Sequence, residues 1–293
     1  MGILTYACTA GSLFFVEKRV FSNARLAHLT TFLLLGLNFL VVLSSANFEP
    51  KMLAVLLQLW GIYYALEKKW FPAGLFFSLA VMCWQPMVIN CVSLFVFIVL
   101  SNSQYKESIK SLCWLFAGVL VGTLPVVFYL GFTDQWLDFW NQAVVRKVNV
   151  EGDAIFESYL NWFVKAIYPK FLSEAIYFLF GALGFLFMLY KLIGKGKPSF
   201  SQFTDGKTVK LLLALTVFWI LFNSLAFQGA PDLIPLIPLI LFWSAYIMNT
   251  VYMAISSQLS KKVLVFALVA YSFFDLLLPK VPFSYEDQKS FIT

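Results

Sequence analysis

Charged residues are scarce in this sequence: 12% of its 293 residues are charged and 61% are hydrophobic. A soluble globular chain has about a quarter charged residues, and so small a polar fraction cannot cover a surface that faces water. The mean hydropathy of +0.82 and the 33 Phe indicate that lipid is the solvent. The composition therefore excludes soluble enzymes and disordered chains, and it predicts an integral membrane protein.

Metal-binding, redox and nucleotide-binding motifs are also missing. There is one His, and the four cysteines (Cys8, Cys83, Cys91, Cys113) lie in apolar segments without a Cys-x-x-Cys pair. No Gly-x-x-x-x-Gly-Lys loop, Gly-x-Ser-x-Gly elbow or His-Glu-x-x-His pair is present. The net charge of +6 comes from basic residues in short loops, so it predicts membrane topology rather than a nucleic-acid partner.

Long apolar runs, by contrast, are frequent. The candidate membrane helices are residues 2–16, 26–43, 52–66, 71–100, 111–132, 172–193, 209–227, 233–255 and 263–278. Residues 133–171 form the one long hydrophilic stretch, and its three Trp are typical of amphipathic helices at the membrane surface. The expected fold is all-α: one polytopic transmembrane bundle over residues 1–293, without a soluble domain.

The run at 71–100 is too long for one straight span, and Trp84-Gln85-Pro86 interrupts it. We interpret it as two short passes, which brings the predicted number of membrane helices to about ten. Two passes also place the loops 17–25, 67–70, 101–110, 191–210 and 256–262 on one side. These loops hold 14 of the 21 basic residues, so the positive-inside rule makes that side cytoplasmic.

Residues 44–51 and 133–171 then face outward, and the polar residues there are candidates for chemistry. Glu49 can accept a proton from a hydroxyl or hold a divalent cation beside a phosphate, and Lys51 is a second charge in the same loop. The alternative is that Glu49 only stabilises the start of the next helix, with Pro50 in its first turn.

Five further candidate residues also have structural alternatives. Trp84 and Gln85 offer an aromatic wall and hydrogen bonds inside the membrane, or merely form a kink. Arg146 and Lys147 suit a lipid phosphate, or are solvated at headgroup level. Asp232 near the outer mouth is a candidate for substrate binding, although its position at the start of a span favours a helix N-cap.

Three segments together resemble a known family. Phe48-Glu49-Pro50-Lys51-Met52-Leu53, then Trp70-Phe71-Pro72-Ala73-Gly74 leading to Cys83-Trp84-Gln85-Pro86, and Pro231-Asp232-Leu233-Ile234-Pro235-Leu236-Ile237-Pro238 follow in order along the chain. They are similar to segments of polyprenyl-phosphate-sugar-dependent glycosyltransferases of the GT-C fold, most of all the archaeal dolichyl-phosphate-mannose mannosyltransferases.

The resemblance implies transfer of a hexose such as mannose from a polyprenyl phosphate to a glycan, protein or lipid acceptor on the outer face. Glu49 matches the family's second acidic position, which contacts acceptor or metal, whereas Asp232 stands where many relatives carry His or Tyr. Met1 opens directly in what resembles the family's second span, so the first acidic loop, which carries the expected base in that family, is missing. We therefore expect either a piece of a longer enzyme or a chain that has lost catalysis.

Two rival functions stay open: a lipid or solute transporter, and a non-catalytic subunit that binds lipid-linked sugar. All three hypotheses predict a multi-pass protein in contact with membrane lipid. They place it in the plasma membrane of an archaeon or bacterium, with its site facing outward. A divalent cation at Glu49 is the one cofactor that the sequence allows for.

Overall fold

A computed structural model describes residues 2–22, 50–102, 104–141, 172–193, 202–226 and 234–277. Over these residues the fold is all-helical, apart from one bridge pair between Phe21 and Phe203. The α-helices, numbered in chain order over the described residues, are α1 (Gly2–Val20), α2 (Pro50–Leu66), α3 (Trp70–Cys83), α4 (Val88–Ser101), α5 (Tyr105–Thr133), α6 (Trp136–Trp140), α7 (Leu172–Ile193), α8 (Gly206–Ala226), α9 (Ile237–Ala254) and α10 (Gln258–Leu277).

Among the described residues, three stretches of helix are long and apolar enough to cross a membrane: Tyr105–Thr133, Gly206–Asn223 and Ile234–Ala254. Tyr105–Thr133 carries many exposed apolar side chains, including Phe116, Leu120 and Phe128. Large exposed apolar side chains along one helix are typical of contact with lipid. The prediction of an all-α membrane protein is therefore supported by the fold.

The predicted interruption at Trp84-Gln85-Pro86 is present. α3 ends at Cys83, Trp84 is extended, and a single 3-10 turn, Gln85–Met87, leads into α4. The start of α3 (Trp70) and the end of α4 (Ser101) line the same cavity, so the chain reverses direction at this turn. The two helices have 14 residues each, or about 21 Å, against roughly 30 Å of hydrocarbon in a bilayer.

Glycines let α3 approach α5 closely. A Cβ added to Gly118 would overlap the carbonyl oxygen of Phe71, and one added to Gly74 would overlap that of Leu115. Small residues at such crossings allow the backbones to touch, which is a main source of helix association in lipid. α3 is thereby fixed against α5 on one side, and it packs against α2 on another.

Segments from several predicted cytoplasmic loops meet at one end of the bundle. Arg19 Nε lies 3.0 Å from Glu67 Oε1, and the Ser22 amide donates to the Gln202 carbonyl at 3.0 Å. Gln202 Nε2 in turn donates to Thr250 Oγ1 at 3.0 Å. Described parts of three of the five loops that the sequence analysis assigned to one side therefore lie together, and we call this end the lysine end.

Two predicted features fall wholly or largely outside the described residues. The candidate span 26–43 is one. The other is the amphipathic segment at 133–171, of which the structure describes only the beginning, with the short helix α6 and its exposed Trp136 and Leu137.

Candidate functional site

The turn between α3 and α4 brings aromatic and basic side chains from three elements together. Lys51 Nζ, in the first turn of α2, lies 4.8 Å from the centroid of the Trp84 ring. Trp84 stacks nearly parallel on Trp219 of α8, with ring centroids 6.0 Å apart and 10° between the planes. A cation beside an aromatic face is held by the ring quadrupole, so Trp84 helps to place the Lys51 charge.

Buried hydrogen bonds hold Trp219, on which Trp84 stacks. Asn90 Oδ1 accepts from Trp219 Nε1 at 2.8 Å and from Gln58 Nε2 at 3.2 Å, and all three residues are buried. Buried polar groups in an apolar bundle are costly unless they are paired, so Asn90 ties α2, α4 and α8 together. We call Lys51, Gln58, Trp84, Asn90 and Trp219 the Trp84 cluster.

The structure describes three of the residues that the sequence analysis selected. Lys51 and Trp84 are in contact, and Gln85 is exposed beside Trp84 in the 3-10 turn. The remaining four, Glu49, Arg146, Lys147 and Asp232, lie outside the described residues, so their assigned roles stay predictions.

Three members of the cluster were missed by the sequence analysis. Gln58 and Asn90 are amides within otherwise apolar runs, and Trp219 lies in a span where an aromatic residue is ordinary. Their polarity could have selected the two amides as candidates, because polar side chains inside a membrane span usually face a partner or a cavity. No pattern in the sequence indicates that Gln58 and Trp219 both bond to Asn90.

No group of three or more His, Cys, Asp or Glu able to hold a metal ion occurs among the described residues. Lys51 and Trp84 are partly exposed, whereas Gln58, Asn90 and Trp219 are buried and support them from within the bundle.

A cavity of about 230 Å³ lies at the lysine end. Its lining includes Lys68, Lys110 and Lys207, together with Leu66 at the end of α2. Lys51 and Leu66 are 15 residues apart on one helix, which separates this cavity from the Trp84 cluster by about 22 Å. The sequence analysis used these lysines only to assign topology and did not predict a cavity among them.

Comparisons with protein-family models, with curated proteins and with solved structures found no match for this chain. What the fold and the two sites define is a class: an all-helical membrane protein with a polar, aromatic cluster at one end and a lysine-lined cavity at the other.

Proposed function

We propose that the chain is a multi-pass membrane glycosyltransferase of GT-C type. It would transfer mannose or another hexose from a polyprenyl or dolichyl phosphate to a glycan, protein or lipid acceptor. The observation that carries this proposal is the contact of Lys51 with Trp84, which itself stacks on Trp219.

The cluster suits the chemistry of a sugar phosphate. An indole face packs against the C–H groups of a sugar ring, and a neighbouring ammonium group neutralises a phosphate oxygen. Here both groups come from the short segments that the family resemblance selected, α2 with its preceding loop and the turn at Trp84.

In the proposed reaction the acceptor hydroxyl attacks the anomeric carbon and gives its proton to Glu49, the residue that precedes Pro50 in the sequence. The bond between the anomeric carbon and the phosphate oxygen breaks, and polyprenyl phosphate leaves with both electrons. Arg146 and Lys147 would hold this phosphate together with Lys51, and Asp232 and Gln85 would contact the sugar or acceptor. A divalent cation held by Glu49 would neutralise charge on a phosphate oxygen.

The proposed architecture has about ten membrane helices, with the Trp84 end facing outward. In this architecture the short helices α3 and α4 would leave Trp84 below the level that a full-length span reaches, and this supports a cavity open to lipid headgroups. The orientation rests on the basic loops, which the positive-inside rule assigns to the cytoplasm of an archaeal or bacterial plasma membrane.

The chain reversal at Trp84 also favours a second candidate, a lipid transporter, because broken helices often form transport sites. A transporter would bind the same lipid without breaking the bond to the sugar. A non-catalytic subunit would behave in the same way, but would not move the lipid across the bilayer.

Donor binding tests the proposal directly. The purified chain in detergent is titrated with polyprenyl-phosphate mannose, and the melting temperature is followed, since a ligand that binds only the folded state raises it. We expect Lys51→Gln to weaken donor affinity about tenfold, the value of one charge-assisted hydrogen bond to phosphate. Lys191→Gln is the matched control, because Lys191 Nζ also lies over an aromatic ring, 4.7 Å from the centroid of Phe187 at the lysine end.

The proposal fails if the donor stabilises the parent and Lys51→Gln chains equally, or if polyprenyl phosphate without sugar binds as tightly as the donor. Transfer of labelled mannose to an acceptor separates the enzyme from its two rivals, since neither a transporter nor a binding subunit releases polyprenyl phosphate.

A further inference from the structure

The cavity at the lysine end has the chemistry of an anion site. Lys68 comes from the loop between α2 and α3, Lys110 from α5 and Lys207 from the first turn of α8, so three separate segments each contribute a lysine to the lining of one cavity. All three residues are exposed. Lys68 is held in a left-handed backbone conformation, with φ of 56°.

Two carboxylates share the cavity, and neither offsets the lysines fully. Asp205 Oδ1 accepts a hydrogen bond from the Thr208 amide at 2.6 Å and so caps α8. Glu107 lies in the first turn of α5, where the helix dipole stabilises a negative charge. The three lysines outnumber the two carboxylates, and both carboxylates interact with the starts of helices. The cavity therefore has a net positive charge.

An apolar groove of about 400 Å³ adjoins this cavity between α4 and α8. Leu100, Leu213 and Val217 line it, and Phe97 and Ser101 are walls of the groove and of the lysine cavity alike. Lys210 stands at its edge. Leu100 is 77% exposed, so the groove opens outward rather than into the core.

We propose that this composite site binds an anionic phospholipid, with the phosphate of its headgroup among Lys68, Lys110 and Lys207 and an acyl chain in the groove between α4 and α8. Charge complementarity selects an anionic headgroup, and the shared walls at Phe97 and Ser101 join the headgroup site to the chain site. A soluble phosphate would use the first half of the site alone. The inference is independent of sugar transfer, which is assigned to the opposite end.

The test uses the whole chain in detergent, with its melting temperature measured against added phosphatidylglycerol, phosphatidylcholine or inorganic phosphate. We expect phosphatidylglycerol to stabilise the chain well beyond the other two. Replacing Lys68, Lys110 and Lys207 together by Gln should weaken that binding on the order of a hundredfold, at about fivefold per lysine near an anionic lipid. The matched control replaces Lys18, Lys106 and Lys262, which lie at the same end outside the cavity lining.

A second variant tests the groove. Ala214→Phe adds a large side chain to its lining and should reduce the response to phosphatidylglycerol while leaving any weak response to inorganic phosphate unchanged. Equal stabilisation by phosphatidylglycerol and phosphatidylcholine would overturn the proposal. So would equal loss in the cavity and control triple variants, or saturation by inorganic phosphate alone, which would make this a site for a free anion.

Discussion

The two ends of the bundle handle polar groups in opposite ways. At the Trp84 end, Gln58, Asn90 and Trp219 are fully buried and bond to one another across three helices. At the lysine end most charged groups are at least partly exposed, as in the ion pair of Arg19 and Glu67, whose side chains are 53% and 24% exposed, although Glu17 of α1 is buried.

The difference shows which polar groups the fold depends on. Gln58 and Trp219 both donate to Asn90, so removing Asn90 leaves two buried donors unsatisfied in an apolar surrounding. Exposed charges are screened by water and salt, and their partners are easily replaced. We therefore expect the Trp84 end to govern stability together with donor binding, and the lysine end to respond to lipid and ionic strength.

The largest expected effect comes from a position that supports both ends. α3 carries Trp70 at the lysine cavity and leads to Trp84 at the other end, and Gly118 is where α5 crosses it. Gly118→Ala would drive a methyl group into the Phe71 carbonyl, so we expect a loss of about 3 kcal/mol or more, or a chain that does not accumulate. Thermal unfolding of the detergent-solubilised chain measures it.

Gly131→Ala on the same helix is the control, because nothing lies within 4 Å of a Cβ added there. Comparable stability of both variants would mean that α3 and α5 do not cross as closely as described.

The next effect should be confined to the Trp84 end. Asn90→Leu keeps the size of the side chain but leaves Trp219 Nε1 and Gln58 Nε2 without their acceptor, at a cost of about 1–3 kcal/mol. Ser93→Ala is the control on the same helix, since Ser93 Oγ bonds only within α4, to the Ile89 carbonyl at 2.7 Å. If the two variants unfold at the same temperature, Asn90 does not join the helices as described.

The smallest effect is expected at the lysine end. Glu67→Gln removes a partly exposed ion pair with Arg19 and should cost less than about 1 kcal/mol, with the loss vanishing at high salt. A loss larger than that of Asn90→Leu would reverse the comparison between the two ends.

Much of the architecture was predictable because apolar runs and proline are local signals. The helix class, the interruption at Trp84-Gln85-Pro86 and the grouping of the basic loops follow from hydropathy, backbone chemistry and charge distribution. The sequence also selected Lys51 and Trp84, which the fold brings into contact across the α2–α3 pair.

The remaining features depend on contacts distant in sequence, which no local pattern specifies. Asn90 and Trp219 are 129 residues apart, and the lysine cavity is assembled from helices whose crossing depends on glycines such as Gly118. From the sequence alone, a glycine within an apolar run indicates a less stable helix. Its role in close packing is visible only when the helix that crosses it is known.

Photo-crosslinking tests the central claim, that the Trp84 end binds a polyprenyl-phosphate sugar, without requiring catalysis. A donor that carries a diazirine on its sugar is added to the chain in liposomes, and the sample is irradiated. The labelled peptides are then identified by mass spectrometry. The account predicts label on the peptides that contain Lys51 and Trp84, and its loss when unlabelled donor is in excess. Label confined to the peptides of Lys68, Lys110 and Lys207, or unaffected by competing donor, would contradict it.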